Sequence, residues 1–351
     1  MSKKFDFEAI QEQLNRERKL VSFDNYDLSV RELLTMFENQ DIVIPPEYQR
    51  QFIWDDERQS KLVESIFLGI PVPNVFMATN KDSTWDIVDG VQRVSTLVHY
   101  CGSGKLLTMI NKSKNLVMTG IEKLYSLKHF EFYQLPRPIQ LAFLTRPMRV
   151  TVLDDKSDFE VRFDLFERLN TGGILLTSQE IRNCIFRGRF NDSLKDLAKN
   201  EDFNEVVKLK PADQSNGTRE EFILRFFAFL DNYTEFEHSV KDFLNDYMKT
   251  NREKKLSENK MRIFNKTFRF IRESLPEGIN RGGRKITPVN LYEAVSVGTA
   301  LALSENNKIP KNKLKNIVED IGLKKFITAA TNSNRMVVGR IDFVKNSLLS
   351  N

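Results

Sequence analysis

The stretch Thr84-Trp85-Asp86-Ile87-Val88-Asp89-Gly90-Val91-Gln92-Arg93-Val94-Ser95-Thr96-Leu97-Val98-His99-Tyr100 changes periodicity at its centre. Trp85, Ile87 and Val88 read as a short β-strand, entered from the turn signal Asn80-Lys81-Asp82-Ser83. Asp89-Gly90 stops the strand, and Val94, Leu97 and Val98 then recur at helical spacing. A strand-to-helix turn of this kind offers backbone N–H groups and the positive end of a helix dipole to an anion. An arginine in the first helical turn, here Arg93, is placed against that dipole and gains most by facing a phosphate or carboxylate. A plainer reading also stands, in which Asp89 caps the helix and Arg93 is a solvated surface residue.

To the N-terminal side, residues 5–20 read as an exposed charged helix. Ser29 and Glu32 form a capping-box pattern ahead of Leu33, Leu34 and Phe37. Ile42-Val43-Ile44 is a short strand broken by Pro45-Pro46. The irregular Glu47-Tyr48-Gln49-Arg50-Gln51-Phe52-Ile53-Trp54 follows, with Tyr48 and Trp54 bracketing Arg50. It is either a binding edge that aims Arg50 into a cleft or a loop pinned by two aromatics. Asp55 and Asp56 can cap a helix over 57–68 whose core face is Leu62, Val63, Ile66 and Phe67, with Gly69 ending it. Val75 to Ala78 form a strand that can pair with 84–88.

To the C-terminal side, Gly102-Ser103-Gly104-Lys105 is not a phosphate loop, because His99 stands where the first Gly should be and Leu106 follows the Lys. Met148 to Leu153 alternate as a strand, and Ser157 to Leu169 form a helix with Phe159, Phe163 and Phe166 inward. That helix runs through Glu167 and Arg168 into the loop Asn170-Thr171-Gly172-Gly173. Such a loop can approach a ligand closely. Thr177-Ser178-Gln179-Glu180 is a second capping box, opening a helix over 178–186.

Beyond residue 190 the pattern is helical. Phe222, Leu224, Phe226, Phe227, Phe229 and Leu230 make a helix apolar nearly all round, hence buried. Ser257 to Leu275 sets Met261, Phe264, Phe268, Ile271 and Leu275 on one face and Lys260, Arg262, Lys266, Arg269 and Arg272 on the other. Arg281, Arg284 and Lys285 add charge in a glycine-bearing loop. Leu291–Leu303 and residues 312–328 read as further helices, and Arg335 and Arg340 flank a short apolar stretch.

The chain has 351 residues, 40% hydrophobic and 29% charged, with 27 Phe, so an aromatic-rich core is expected. Two cysteines without a CxxC suit a reducing cytoplasm, and three scattered histidines do not make a metal cluster or an HNH-type nuclease site. No apolar run approaches the roughly 20 residues of a membrane span. Residues 1–185 carry 23 Lys+Arg against 26 Asp+Glu, whereas residues 186–351 carry 30 against 22. The basic excess thus lies in the C-terminal half, where nucleic acid is an allowed partner. Lys260, Arg262, Lys266, Arg269, Arg281, Arg284 and Lys285 are the candidate contacts.

Three pieces stand in order: Tyr48-Gln49-Arg50-x-Phe52-x-Trp54, Val88-Asp89-Gly90-Val91-Gln92-Arg93, and Phe166-Glu167-Arg168-Leu169-Asn170-Thr171-Gly172-Gly173 followed by Leu176 and Gln179-Glu180-Ile181-Arg182. Together they resemble the N-terminal domain family of GmrSD-type restriction enzymes over roughly residues 25–190. The resemblance implies an α+β fold similar to the ParB and sulfiredoxin class, with a small mixed sheet, followed by an all-α C-terminal domain. The expected boundaries are an N-terminal extension over 1–24, the ParB-like domain over 25–188 and a helical domain over 189–351. The family's central motif usually reads Asp-Gly-Gln-Gln-Arg, and here Val91 replaces the first Gln.

The resemblance also implies a cleft for a nucleoside triphosphate, which several relatives hydrolyse. Tyr48, Gln49, Arg50, Gly90, Gln92, Arg93, Arg168 and Asn170 would bind it. Asp89, Arg93 and Glu167 are the catalytic candidates, and Asp89 and Asn170 the ligands for Mg²⁺. No HNH motif follows residue 190, so nuclease activity is not carried over. The resulting expectation is a cytoplasmic protein of bacterial defence against foreign DNA, working with DNA, a separately encoded effector or a second copy of itself, and without a membrane. A non-enzymatic DNA-binding or adaptor module with a vestigial cleft is the alternative, and a nuclease a more distant one.

Overall fold

The computed structural model describes residues 6–18, 22–45, 54–80, 82–154, 159–169, 176–306, 308–328 and 332–350. The chain divides into two compact units, Met1–Leu176 and Thr177–Asn351.

The first unit is α+β. In order it contains α1 (Phe7–Arg18), β1 (Phe23–Ser29), α2 (Val30–Glu38), β2 (Ile42–Val43), α3 (Asp56–Leu68), β3 (Val75–Thr79) and β4 (Trp85–Asp89). Then come α4 (Val91–Cys101), α5 (Gly104–Met109), α6 (Arg137–Leu144), β5 (Pro147–Leu153) and α7 (Phe159–Leu169). The strands form one mixed sheet in the order β1-β5-β3-β4-β2. β1 and β5 are antiparallel, as are β3 and β4, while β3 runs parallel to β5 and β2 parallel to β4. β3 and β4 form the hairpin expected across Asn80–Ser83, closed by the Ser83 N–H donating to Asn80 O at 3.0 Å.

Local chemistry sets the helix ends. Ser29 accepts from the Glu32 N–H and starts α2; of the expected capping box this is the half observed. Asp55 caps α3, and Gly69, with φ of 71°, ends it in the left-handed region that favours glycine. β1 has no counterpart in the sequence reading. Its residues Phe-Asp-Asn-Tyr-Asp-Leu-Ser are mostly polar and solvent-facing. It is a strand because β5 offers a partner along its whole length, from Phe23 opposite Leu153 to Ser29 opposite Pro147.

α4 is the centre of the unit. All its residues except Arg93 are buried. Two of its polar members are bonded internally, Thr96 Oγ1 donating to Gln92 O at 2.7 Å and His99 Nδ1 lying 2.8 Å from Gln59 Oε1, whereas the buried Ser95 and Tyr100 hydroxyls have no partner among the described residues. Burial holds the His99 imidazole below its usual pKa. Tyr100 packs edge-on against Phe132 and Phe143 at centroid distances of 5.4 Å in each case, the aromatic core the Phe content foretold.

The second unit is all helical among its described residues. It contains α8 (Ser178–Ile185), α9 (Arg189–Leu197), α10 (Glu201–Val206), α11 (Thr218–Asn232), α12 (Val240–Asn251) and α13 (Glu258–Ser274). α14 (Val289–Glu305), α15 (Asn312–Glu319), α16 (Ile321–Ile327) and α17 (Asn334–Leu349) follow. The capping box at Thr177 and Glu180 is complete. α11 is buried on nearly every side, and Phe226, Phe227, Phe264 and Phe268 interlock in its neighbourhood. The single helix expected over 312–328 is two helices. Asp320 ends α15 and turns its carboxylate to the Gly322 N–H at 2.6 Å, which restarts the chain as α16. Met261 is half-buried and lines a groove rather than the core, and Phe270, 9% exposed, borders the same groove.

Candidate functional site

The site is built where β4 passes into α4. Gly90 occupies the N-cap position with φ of 99° and makes no side-chain cap. Its conformation suits glycine, and a Cβ there would stand 3.0 Å from Arg93 Nη2 and 3.2 Å from the Val75 side chain. Asp89 is therefore not the cap. Its carboxylate instead accepts from Arg93 Nη2 at 2.6 Å, one helical turn on. The same Nη2 donates to Asn74 O at 2.9 Å. Arg93 Nε is shielded from solvent and has no acceptor. The side chains of Arg93 and Asp89 are 13% and 27% exposed, so the pair sits at the rim of the core rather than in bulk water.

Gln92 makes a backbone contact within the first unit. It is buried, and its Oε1 accepts the Trp54 N–H at 3.2 Å. Gln59 Nε2 donates to Trp54 O at 2.7 Å, while its own Oε1 faces His99. Arg58 lies over the Trp54 ring, 4.5 Å from the centroid. Trp54 is thus held through both backbone groups and its ring, immediately after the Tyr48-Gln49-Arg50 segment. Tyr48, Gln49, Arg50 and Asn170 lie outside the described residues. Val91, the departure from the family pattern, is buried at 5% exposure.

α7 packs against β4, the strand that ends at Asp89. Glu167 and Arg168 are exposed in its last turn, as a loop-facing helix end requires. Asn74 was not anticipated. It contributes its carbonyl to Arg93, and its Nδ2 lies 3.4 Å from Thr151 Oγ1 on β5. A backbone acceptor leaves no sequence signal, which is why it escaped notice.

Magnesium typically takes one or two carboxylates together with phosphate oxygens and waters. Asp89 already faces a guanidinium, and among the described residues no three His, Cys, Asp or Glu side chains converge. Asn170, the other residue expected to hold the ion, lies outside the described residues.

The basic residues of the second unit do not share one face. Lys260 is drawn into an internal pair, with Nζ 2.5 Å from Asp231 Oδ2 and 3.1 Å from the Tyr247 hydroxyl. Its charge is matched by Asp231 in the protein alone. Arg262, Lys266 and Arg269 line a groove of about 590 Å³ along α13. Arg281 and Arg284 line a separate cavity of about 450 Å³, and the exposed Lys285 is not among the residues lining it.

The family described as GmrSD restriction endonuclease, N-terminal domain, matches residues 30–187, a little under half of the chain. The domain points to a bacterial restriction- or defence-related function. No curated protein and no solved structure matches the chain. Among the described residues no helix is long and apolar enough to cross a membrane.

Proposed function

We propose that the first unit binds a nucleoside triphosphate at the Gly90 turn and serves restriction of foreign DNA in the cytoplasm. One observation carries the reading: in a helix otherwise wholly buried, Arg93 alone reaches the rim, beside an N-terminus with no side-chain cap. An uncapped N-terminus with a fixed guanidinium is suited to phosphate oxygens. Asp89 and Asn74 O engage Nη2 and set the plane of the guanidinium. Nη1 has no hydrogen bond to the described residues and remains to donate to a phosphate. Arg50, from the segment anchored at Trp54, would supply a second cation, and Glu167, Arg168 and Asn170 would face the nucleotide from α7 and its loop.

Isothermal titration with each of the four NTPs, with and without Mg²⁺, tests this. Saturable binding that weakens at least tenfold in Arg93→Ala is expected. Absence of binding, or binding indifferent to that change, would overturn it. Phosphate release under the same conditions reports whether the bound triphosphate is cleaved.

A second reading, a non-enzymatic DNA-binding or adaptor module, draws support from the Asp89–Arg93 pair, which partly neutralises the arginine the nucleotide would need. DNA binding that falls steeply with salt and ignores nucleotide would favour it.

A further inference from the structure

We infer that the second unit carries a separate pocket for a phosphate group attached to an organic moiety, formed by Arg281, Arg284 and Lys324. The three cations line one cavity of about 450 Å³, and no acidic residue is among those lining it. They come from two places, the 281–284 loop and α16, so tertiary folding rather than a run of like charge brings them together. Glu319, which lies 3.8 Å from Arg281 Nε and accepts the Gly282 N–H at 3.3 Å, offsets part of the like-charge repulsion, and no acidic residue among the lining does so for Arg284 and Lys324.

Arg281 is held at the cavity by Glu319. Its Nη2 donates to Glu319 O at 3.0 Å, and its Nε lies 3.8 Å from the Glu319 carboxylate. Its Nη1 is shielded from solvent and has no acceptor. That shielding keeps Nη1 off the open cavity, so Arg281 offers a ligand there its charge rather than this N–H. Gly282, with φ of 60°, and Gly283, with φ of 72°, have open space where a Cβ would stand. Backbone can therefore approach a ligand there without a side chain between. Pro288, at the N-cap of α14, adds no side-chain cap to the end of a 17-residue helix that borders the cavity.

The rest of the lining sets the ligand class. Pro288, Leu291 and Ile327 give apolar wall beside the cations, and the volume lies in the range of small-molecule sites of roughly 300–1,000 Å³. A bare phosphate would leave that wall uncovered. A nucleoside monophosphate, free or as the 5′ end of a DNA strand, matches both parts. The inference is independent of the triphosphate reading, which concerns the other unit.

The test is titration of the full chain with inorganic phosphate, deoxyadenosine monophosphate, and a short oligodeoxynucleotide with and without a 5′ phosphate. It is repeated in an Arg93→Ala background so that nucleotide held by the first unit does not contribute. Arg284 and Lys324 are exposed, so Arg284→Ala/Lys324→Ala should fold normally, as the thermal midpoint will report. The expected result is saturable binding of the monophosphate in the Arg93→Ala background, weakened at least tenfold by the double change. A 5′-phosphorylated strand binding more tightly than both the monophosphate and its unphosphorylated counterpart would identify a strand end as the source. Equal binding of monophosphate and phosphorylated strand would identify a free nucleotide. Failure of every probe to bind, or binding undiminished in the folded double variant, would overturn the pocket.

Discussion

Arg340, with no solvent exposure, donates a guanidinium N–H to the carboxylate of Glu293, itself 1% exposed. The other Glu293 oxygen takes Arg225 Nη1 at 2.7 Å. Arg225 also grips Glu221, which in turn meets Arg182 Nη1 at 3.3 Å. Five charged side chains on α8, α11, α14 and α17 thus form one connected network inside the second unit. Arg182, in the last part of the family motif, is one end of it, and its Nε donates to Asn245 Oδ1 at 2.8 Å on α12. The Gln-Glu-Ile-Arg segment of that motif is therefore an assembly point for the helical unit.

Removing one partner from such a network strands the others. Glu293→Ala takes from Arg340 the buried carboxylate it donates to and removes one of the two carboxylates that Arg225 engages, and a loss of about 3–5 kcal/mol is expected. Chemical denaturation of the full chain measures it. A loss below about 1 kcal/mol, the level of a surface pair, would contradict the network's role.

The same network predicts acid sensitivity. Burial is the largest single influence on Glu221 and would raise its pKa, but Arg225 and Arg182 together outweigh it and hold it below the ordinary 4.5. A carboxylate with a lowered folded-state pKa contributes stability that is complete above the unfolded value and is lost as pH falls through the folded one. The thermal midpoint should therefore fall as pH drops below 4.5, and Glu221→Gln should lose its disadvantage relative to wild type over that same range. A gap that stays constant down to about pH 3 would count against this account.

Gly90→Ala tests the turn. The left-handed conformation costs a residue with a Cβ roughly 1–2 kcal/mol. The new methyl would also press on Arg93 Nη2 at 3.0 Å and on Val75. Thermal unfolding should show a loss of at least that size, and triphosphate affinity should fall with it because Arg93 is displaced. Wild-type stability in the variant would mean the turn is not held as described.

Gln92→Ala removes the acceptor of the Trp54 N–H. An unmatched, partly buried donor costs about 1–3 kcal/mol. Tryptophan emission should also shift to longer wavelength as Trp54 loosens, a change best read in a Trp85→Phe background so that one indole reports. Unaltered emission and stability would leave Gln92 to the ligand-contact role its motif implies.

Much of this was legible in the chain itself. The 2-to-3.6 change of period at Asp89-Gly90 placed β4 and α4, and side-chain caps at Ser29, Asp55 and Thr177 placed three helix starts, because those signals are local and each residue carries its own. The aromatic and aliphatic spacing likewise marked α11 and α13 as core helices. What depends on a partner distant in sequence could not be read. β1 is polar and becomes a strand only because β5 lies beside it. Lys260 looked like part of a charged face until Asp231 was brought within 2.5 Å. Arg340, read in the sequence only as flanking a short apolar stretch, pairs with Glu293 in the core, and Lys324 joined Arg281 only when two turns of chain met at one cavity. A sequence fixes which groups are charged and which backbone segments can bend; whether a charge is solvated, paired or waiting for a ligand is decided by the long-range packing that chooses its neighbours and its dielectric.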